Sequence, residues 1–174
     1  MYSFIKLFIV TAISAAALFF ASCSEDSTSP AQQEFIADDN SFADFASWTL
    51  EATNLGPDPA LGAMAHGGND STVTRKIYNK DGKSRINGEY PVGTIVVKHT
   101  TNTSGTVNER TAMVKRGNNF NTSGGNWEWF MLSPDGKIAD DGSGNKLRGA
   151  NLLDGMCVGC HSGAKSKDFV FSKD

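Results

Sequence analysis

The stretch Thr94-Ile95-Val96-Val97-Lys98-His99-Thr100-Thr101 decides which class of fold the sequence predicts. It is rich in β-branched residues, which favour extended strands over helices. Because successive side chains of a strand face opposite sides, Lys98 would share one face with Val96, and His99 would share the other with Val97. The apolar run before Lys98 indicates a strand that is buried on both faces, where an unpaired ammonium group is costly.

Similar short runs lie on both sides of this stretch, and Gly, Asn, Asp and Pro residues separate them, as expected for strands joined by turns. The further predicted strands are Thr72–Tyr78, Glu109–Lys115, Trp127–Leu132 and Phe169–Phe171, and Trp48–Thr53 is also predicted to be extended. The sequence therefore predicts a mainly β (α+β) domain built on an antiparallel β-sheet.

A few short helices complete the predicted fold. Asn40-Ser41 can cap a short helix that runs through Phe45. Residues Asn151–Met156 predict a further turn or two of helix, with Leu152 and Leu153 facing the interior.

Length and charge limit the class of protein. A chain of 174 residues allows one domain, and 39% hydrophobic residues is ordinary for a globular protein. The net charge is -3, and the Lys and Arg residues are scattered along the chain. Because nucleic-acid binding needs a clustered positive surface, we expect no nucleic-acid partner.

The N-terminus predicts export. Residues 1–22 combine a positive start with an apolar run that is too short to span a bilayer comfortably, as in a signal peptide. Phe20-Ala21-Ser22-Cys23 resembles the lipobox of bacterial lipoproteins, although Leu is usual where Phe20 stands. We therefore expect a lipid on Cys23, a flexible tether over residues 23–39 and one folded domain over residues 40–174, in a periplasmic or cell-surface lipoprotein. The alternative is a plain signal peptide that leaves Cys23 free.

The haem prediction comes from Cys157-Val158-Gly159-Cys160-His161 near the C-terminus. This spacing is typical of c-type haem attachment, in which the two thiols bond to the haem vinyl groups and the histidine binds the iron. It predicts one covalent haem c held by Cys157, Cys160 and His161. A redox-active dithiol, or a zinc site completed by His66 and His99, are the alternatives.

The position of the motif narrows the class of cytochrome. Small electron-transfer cytochromes c carry the motif near the N-terminus and use a downstream methionine as the second axial ligand, but Ser162 to Asp174 contains neither Met nor His. Cytochromes c′ carry the motif at the C-terminus but are four-helix bundles, which the strand pattern disfavours. An open sixth coordination position on the iron is therefore expected.

The chain resembles the cytochrome P460 family over roughly Trp48 to Ser172. The resembling segments, in the family's order, are Thr74-Arg75-Lys76-Ile77-Tyr78, Gly93-Thr94-Ile95-Val96-Val97-Lys98, Gly125-Asn126-Trp127-Glu128-Trp129-Phe130, the haem motif and Lys167-Asp168-Phe169-Val170-Phe171. The combination is specific, although each segment outside the haem motif is weak alone.

That resemblance implies a periplasmic, mostly antiparallel β protein, commonly a homodimer, with one five-coordinate haem. The activity it implies is oxidation of hydroxylamine, with electrons passed to a redox partner protein. It places Lys98 where family members have a lysine bonded to the haem ring, and Arg75 where an arginine lies near a haem propionate. The alternatives are an exposed strand lysine for Lys98 and an ordinary edge-strand charge for Arg75.

The proton acceptor that hydroxylamine oxidation requires is not assigned by any motif. The candidate acids are Glu109, Glu128, Asp140, Asp141 and Asp154. A related group, the cytochromes c′-beta, binds nitric oxide in an apolar pocket, and such a binder is the alternative function. A plain electron carrier is a third hypothesis and would need a sixth iron ligand such as His66 or Met131. His66 is, however, expected to be a loop histidine that does not bind iron.

Overall fold

The computed structural model describes residues 34–172, and its centre is a six-stranded sheet in which each strand pairs with its neighbours in sequence. The strands are β1 (Thr49–Leu55), β2 (Thr74–Asn79), β3 (Ile95–Thr101), β4 (Asn108–Lys115), β5 (Trp127–Leu132) and β6 (Arg148–Gly149). All pairings are antiparallel. The predicted mainly β, antiparallel fold is confirmed.

The helical elements in the described residues are short. The α-helix α1 covers Met156–His161, and 3-10 helices cover Phe45–Ser47, Lys80–Gly82, Thr122–Gly124 and Ser162–Lys167. Helix α1 carries the haem motif and leads directly into the last 3-10 helix. Among the described residues, no helix has the length and apolar character that a membrane span requires.

The strands bury both faces of the sheet. On one face, which we call the cavity face, Ile77, Val96, Met113 and Trp129 belong to one apolar cluster. On the other face, the Phe130 face, Tyr78, Val97, Val114 and Phe130 belong to a second cluster. Neighbouring residues of each strand alternate between the two clusters, because successive side chains of a strand point to opposite sides.

Lys98 and His99 follow the predicted alternation on β3. Lys98 lines a cavity together with Val96, whereas the His99 ring lies 6.0 Å from the ring of Phe45, a member of the Phe130 face. In the register of the sheet, Lys98 is flanked by Ile77 of β2 and Thr111 of β4. The strand thus delivers one lysine to the cavity face at a central position of the sheet.

The prediction of a strand over Phe169–Phe171 is wrong. The segment follows the 3-10 helix, and its backbone turns through left-handed conformations at Asp168 (φ 52°) and Phe169 (φ 65°). Its amide groups bond locally instead of to a neighbouring strand: Phe169 N donates to Ala164 O and Val170 N to Lys167 O. An apolar run of this length fits a strand or a packed turn equally well, so periodicity does not distinguish them.

The helix predicted over Asn151–Met156 is also wrong, because Leu153, Asp154 and Gly155 all have positive φ and helix α1 begins only at Met156. Leu152 is buried as expected, but Leu153 is 47% exposed. The helix predicted from Asn40-Ser41 is reduced to a 3-10 turn that begins at Phe45.

The packed domain begins before the predicted boundary at residue 40. Ala37 is 2% exposed within the cluster of the Phe130 face, and Glu34 forms an ion pair with Arg116. Asp39 accepts a hydrogen bond from the amide of Ile138. The part of the predicted tether from residue 34 onward therefore packs on the sheet, while the predicted signal peptide and Cys23 lie outside the described residues.

Candidate functional site

A cavity of about 340 Å³ lies between the cavity face of the sheet and the C-terminal segment. The strands contribute the apolar side chains of Ile77, Val96, Met113 and Trp129 to its lining. Helix α1 contributes Cys157, Cys160 and His161, so all three functional residues of the predicted haem motif reach the same cavity. Lys98 and Arg75, both singled out from the sequence, line it as well.

His161 is held in one orientation by a hydrogen bond and by aromatic packing. Its Nδ1 lies 2.7 Å from the carbonyl oxygen of Phe169, which can only accept, so Nδ1 carries the proton. The ring centroid lies 4.7 Å from that of Trp129 and 5.3 Å from that of Phe171. Burial and the charge of Lys98 lower the pKa of His161 to about 3. The imidazole is therefore neutral and keeps the lone pair of Nε2 for a metal.

Cys157 and Cys160 are free thiols on helix α1, and both are half-buried. Residues three positions apart in a helix lie on the same side, so the two sulfur atoms are presented together. Burial raises the pKa of the Cys157 thiol. Both side chains are therefore placed to react with one group inside the cavity, and neither is committed to a disulfide.

Lys98 presents its amine to the cavity from the middle of the sheet, and its side chain is half-buried. Burial lowers the pKa of Lys98 to about 8, and the carboxylate of Glu109 opposes that effect. A substantial fraction of Lys98 is thus neutral at mildly alkaline pH, when a free amine is a nucleophile. The alternative of an exposed strand lysine is not what the structure shows.

Arg75 is buried on an interior strand, with 4% of its surface exposed. Its guanidinium donates from Nη1 to the carbonyl oxygen of His66 at 3.0 Å and from Nη2 to that of Gly56. The alternative of an edge-strand charge is therefore wrong. These two bonds tie the loop before β2 to the sheet and leave the guanidinium at the cavity wall.

The structure supplies an acid for the cavity that no sequence motif identified. Of the candidate acids, Glu109 is the one that lines the cavity, and its Oε2 lies 2.9 Å from Nδ1 of His66. The hydrogen bond from His66 lowers the pKa of Glu109, whereas burial lowers the pKa of His66. Glu128, by contrast, forms ion pairs with Arg116 and Arg148 and is buried. The contact with His66 spans 43 residues, so sequence spacing held no signal for it.

The residues that line the cavity fit a haem. Helix α1 presents the two thiols on the same side, and His161 keeps the lone pair of Nε2 for iron. Arg75 places a guanidinium at the cavity wall. Trp129 also lines the cavity, and its fully buried Nε1 has no hydrogen-bond partner within the described part of the chain.

A structural zinc site does not fit the same residues. Among residues 34–172, no set of three or more His, Cys, Asp or Glu side chains is grouped to hold a metal ion. His99, one of the ligands that a zinc site would need, hydrogen-bonds to Asn108 and packs on Phe45 away from the cavity. The motif therefore lacks the additional ligands of a four-coordinate zinc site.

A match to a protein-family model decides between the two remaining interpretations of the motif, haem attachment and a redox-active dithiol. The model of the family described as Cytochrome P460 matches residues 43–172, which is most of the chain. The chain belongs to the cytochrome P460 family. The protein is therefore a c-type haem protein, as the motif and the resemblance predicted. No curated protein and no solved structure matches the chain.

Proposed function

We propose that this member of the cytochrome P460 family is an exported, lipid-anchored protein that carries one covalent haem and oxidises hydroxylamine or a related small nitrogen compound. The observation that carries the proposal is the shared cavity, in which the haem motif meets an amine from Lys98 and a carboxylate from Glu109. Electrons would leave through a redox partner protein. The family resemblance favours a homodimer, whose test is sedimentation of the purified haem protein.

Cys157 and Cys160 would hold the haem through thioether bonds, and His161 would bind the iron through Nε2. The fixed Nδ1 bond to the Phe169 carbonyl supports this role, because it sets both the tautomer and the plane of the ring. Arg75 is the donor proposed to bind a haem carboxylate. Haem would supply an iron atom that binds the nitrogen compound and takes electrons from it.

Glu109 is proposed as the residue that accepts protons from the substrate nitrogen. A general base must be ionised and near the proton that it removes, and Glu109 meets the first condition because His66 lowers its pKa. Its position in the cavity lining supports the second. The Glu109 and His66 side chains are 33% and 29% exposed, so a proton taken up in the cavity has a short route to solvent.

Lys98 is proposed to bond to the haem ring, as the resemblance implies. The new bond replaces one N–H of the amine and one C–H of the ring, and the two electrons and two protons released would pass to an external oxidant such as hydrogen peroxide. The lowered pKa supports this assignment because only the neutral amine can form such a bond. A lysine bonded to the ring would distort the macrocycle and change the electronic properties of the iron. Its position on a central strand gives the link a rigid support.

A second candidate function is nitric oxide binding of the cytochrome c′-beta type. The observation in its favour is the apolar part of the lining, formed by residues such as Val96, Met113 and Val170. A small neutral gas needs no proton acceptor, whereas the Glu109–His66 pair has no evident role in such a binder. An electron carrier with His66 as sixth ligand stays a third hypothesis, because the bond between Nδ1 of His66 and Glu109 leaves Nε2 available to iron.

The decisive experiment uses full-length protein expressed with the haem-attachment machinery. Denatured protein should retain haem in a gel stained for peroxidase activity, and the ferrous spectrum should show a band far to the red of an ordinary high-spin c-type haem. Hydroxylamine should then be consumed in the presence of an electron acceptor. Loss of haem on denaturation would overturn covalent attachment. Tight nitric oxide binding without hydroxylamine turnover would favour the second candidate.

A further inference from the structure

The carbonyl group that binds His161 belongs to an uncommon backbone turn. Asp168 and Phe169 both have positive φ, at 52° and 65°, in the left-handed region that non-glycine residues rarely adopt. Two consecutive residues of this kind persist only where surrounding contacts hold them in place. The turn presents the Phe169 carbonyl oxygen to Nδ1 of His161 at 2.7 Å.

A buried ion pair fixes this turn to the sheet. Nζ of Lys115, at the end of β4, lies 2.8 Å from Oδ1 and 2.7 Å from Oδ2 of Asp168. Both residues are 5% exposed, and Lys115 also lies 5.3 Å from the ring of Trp127. The proposed chemistry of the cavity uses neither charge. Such a pair contributes little net stability relative to an apolar core, but separating its members would leave two unpaired buried charges, so it keeps the groups that it joins together.

Further bonds to Asp168 hold the same turn from other sides. Oδ2 accepts the backbone N–H of Tyr90 at 2.8 Å, and the carbonyl oxygen accepts Nε1 of Trp127 at 2.8 Å. The absence of a side chain at Gly125 leaves room for the ring of Phe169, the residue after Asp168. A Cβ atom at position 125 would lie 2.8 Å from that ring. Lys115 is thus one of several groups that hold the turn which carries the Phe169 carbonyl.

We propose that Lys115 is a positioning residue for the iron ligand, because its ion pair with Asp168 holds the carbonyl that orients His161. The inference rests on the proposed role of His161. A hydrogen bond from the outer nitrogen of a ligating histidine fixes the ring and makes the other nitrogen a stronger donor to the metal. When the carbonyl moves away, the imidazole donates less charge to iron. The ferrous form is then favoured, and the iron–histidine bond weakens.

The test measures the iron–histidine stretching frequency of the ferrous haem protein by resonance Raman spectroscopy, together with the reduction potential. Lys115→Met is expected to lower the frequency and raise the potential. Lys115→Arg, which keeps a cation, should restore both toward the wild-type values. Because Lys115 acts through Asp168, Asp168→Asn should shift the same readouts, and the double variant Lys115→Met/Asp168→Asn should shift them no further.

Arg116→Met is the matched control. Arg116 follows Lys115 in the chain, is 9% exposed and forms its ion pairs with Glu34 and Glu128 instead of with the C-terminal turn. Its replacement should destabilise the protein without shifting either readout. If Lys115→Met does not yield folded haem protein, Gly125→Ala displaces Phe169 without changing a charge and should shift the frequency in the same direction.

The outcomes separate the inference from the proposed function. Wild-type protein without an iron–histidine band would overturn both. A wild-type band that is unchanged in the Asp168→Asn and Gly125→Ala variants would overturn the positioning role alone. Equal shifts of the frequency and the potential in Arg116→Met and Lys115→Met would also overturn the positioning role, because they would show a general effect of destabilisation.

Discussion

Nδ1 of His66 lies 2.9 Å from Oε2 of Glu109, although 43 residues separate them in the chain. His66 belongs to the loop before β2, and Glu109 lies near the start of β4, where it pairs with Thr100 of β3. The contact therefore joins the loop before β2 to strand β4, although β2 and β3 come between them in the sheet order. It makes an otherwise ordinary strand glutamate into an oriented carboxylate with a lowered pKa.

Glu109→Gln should abolish most hydroxylamine oxidation while the haem stays attached. The amide keeps the size of the side chain but cannot accept a proton from the substrate. General acid–base groups typically contribute about 100- to 10,000-fold, so we expect turnover to fall within that range. Steady-state oxidation at saturating hydroxylamine, together with the haem content of the purified variant, provides the measurement.

Asp58→Asn is the control for that substitution. Asp58 also lines the cavity, but its Oδ1 accepts the backbone N–H groups of Ala60 and Leu61 and supports the local loop. Its turnover should stay close to that of the wild type. Equal losses in the two variants would show that any change in cavity charge is harmful, and Glu109 would lose its special role.

His66→Ala should move the acidic limb of the activity profile to higher pH. The hydrogen bond from His66 holds the pKa of Glu109 below its ordinary value, so Glu109 stays ionised as the pH falls. Removal of that bond lets the Glu109 pKa rise, and the base is then protonated at a higher pH. The dependence of kcat/KM on pH, measured for wild type and variant, detects the shift.

His99→Ala provides the comparison for the pH experiment. His99 lies on the other face of β3, where its Nε2 contacts Oδ1 of Asn108 at 2.8 Å. The acidic limb of this variant should coincide with that of the wild type. A shift in His99→Ala, or an unshifted profile in His66→Ala, would contradict the assignment of the limb to Glu109.

Strand alternation was enough to predict that Lys98 and His99 lie on opposite faces of β3, because side chains repeat every two residues along any strand. Only the family resemblance indicated which of the two residues faces the haem. The haem motif could also be predicted from the sequence, since its residues follow one another within the short helix α1. Glu109 could not be singled out in this way. Its distinguishing feature is a contact with a loop histidine, which depends on how the chain returns to the sheet.

The C-terminal segment shows a second limit of prediction from the sequence. Phe169–Phe171 has the composition of a strand, yet Phe169 adopts a positive φ because the carbonyl bond to His161 and the packing at Gly125 require it. Leu153 and Asp154 likewise turn the chain before α1 without glycine at their positions. Such conformations are set by tertiary contacts that local residue preferences do not contain.

Phe42→Ala should destabilise the domain without changing the haem site. Phe42 is fully buried in the cluster of the Phe130 face, and its ring centroid lies 5.1 Å from that of Phe130. Truncation of a buried phenylalanine leaves a void and typically costs about 3–5 kcal/mol of unfolding free energy. Urea unfolding followed by circular dichroism measures the loss. Leu50→Ala, at a position that is 50% exposed, should cost far less.

Cys23→Ser should separate the protein from the membrane fraction or block processing of the signal. The apolar run and the small residues before Cys23 motivate this prediction, since they resemble a lipobox. Labelled fatty acid should be found on wild-type protein only. Identical fractionation of the two forms would reject the lipid anchor and leave a plain exported cytochrome.

Lys98→Ala should keep haem bound through Cys157 and Cys160 but lose both the red-shifted spectrum and hydroxylamine oxidation. The expectation follows from the position of Lys98 in the cavity and from its pKa of about 8, which makes the amine available for a bond to the haem ring. Without that bond the macrocycle relaxes, and the iron returns to ordinary c-type behaviour. Optical spectra and turnover of the same preparation test both effects.

Lys76→Ala is the matched control for Lys98, because Lys76 lies on the adjacent strand β2, is exposed and pairs with His99 instead of with a cavity residue. It should keep the wild-type spectrum and turnover. A nitric oxide binder would show little hydroxylamine turnover in the wild type, and its affinity would barely respond to Lys98→Ala. If Lys98→Ala and the wild type share one spectrum and one turnover, Lys98 is only a strand residue, and the hydroxylamine assignment loses the residue that most supports it.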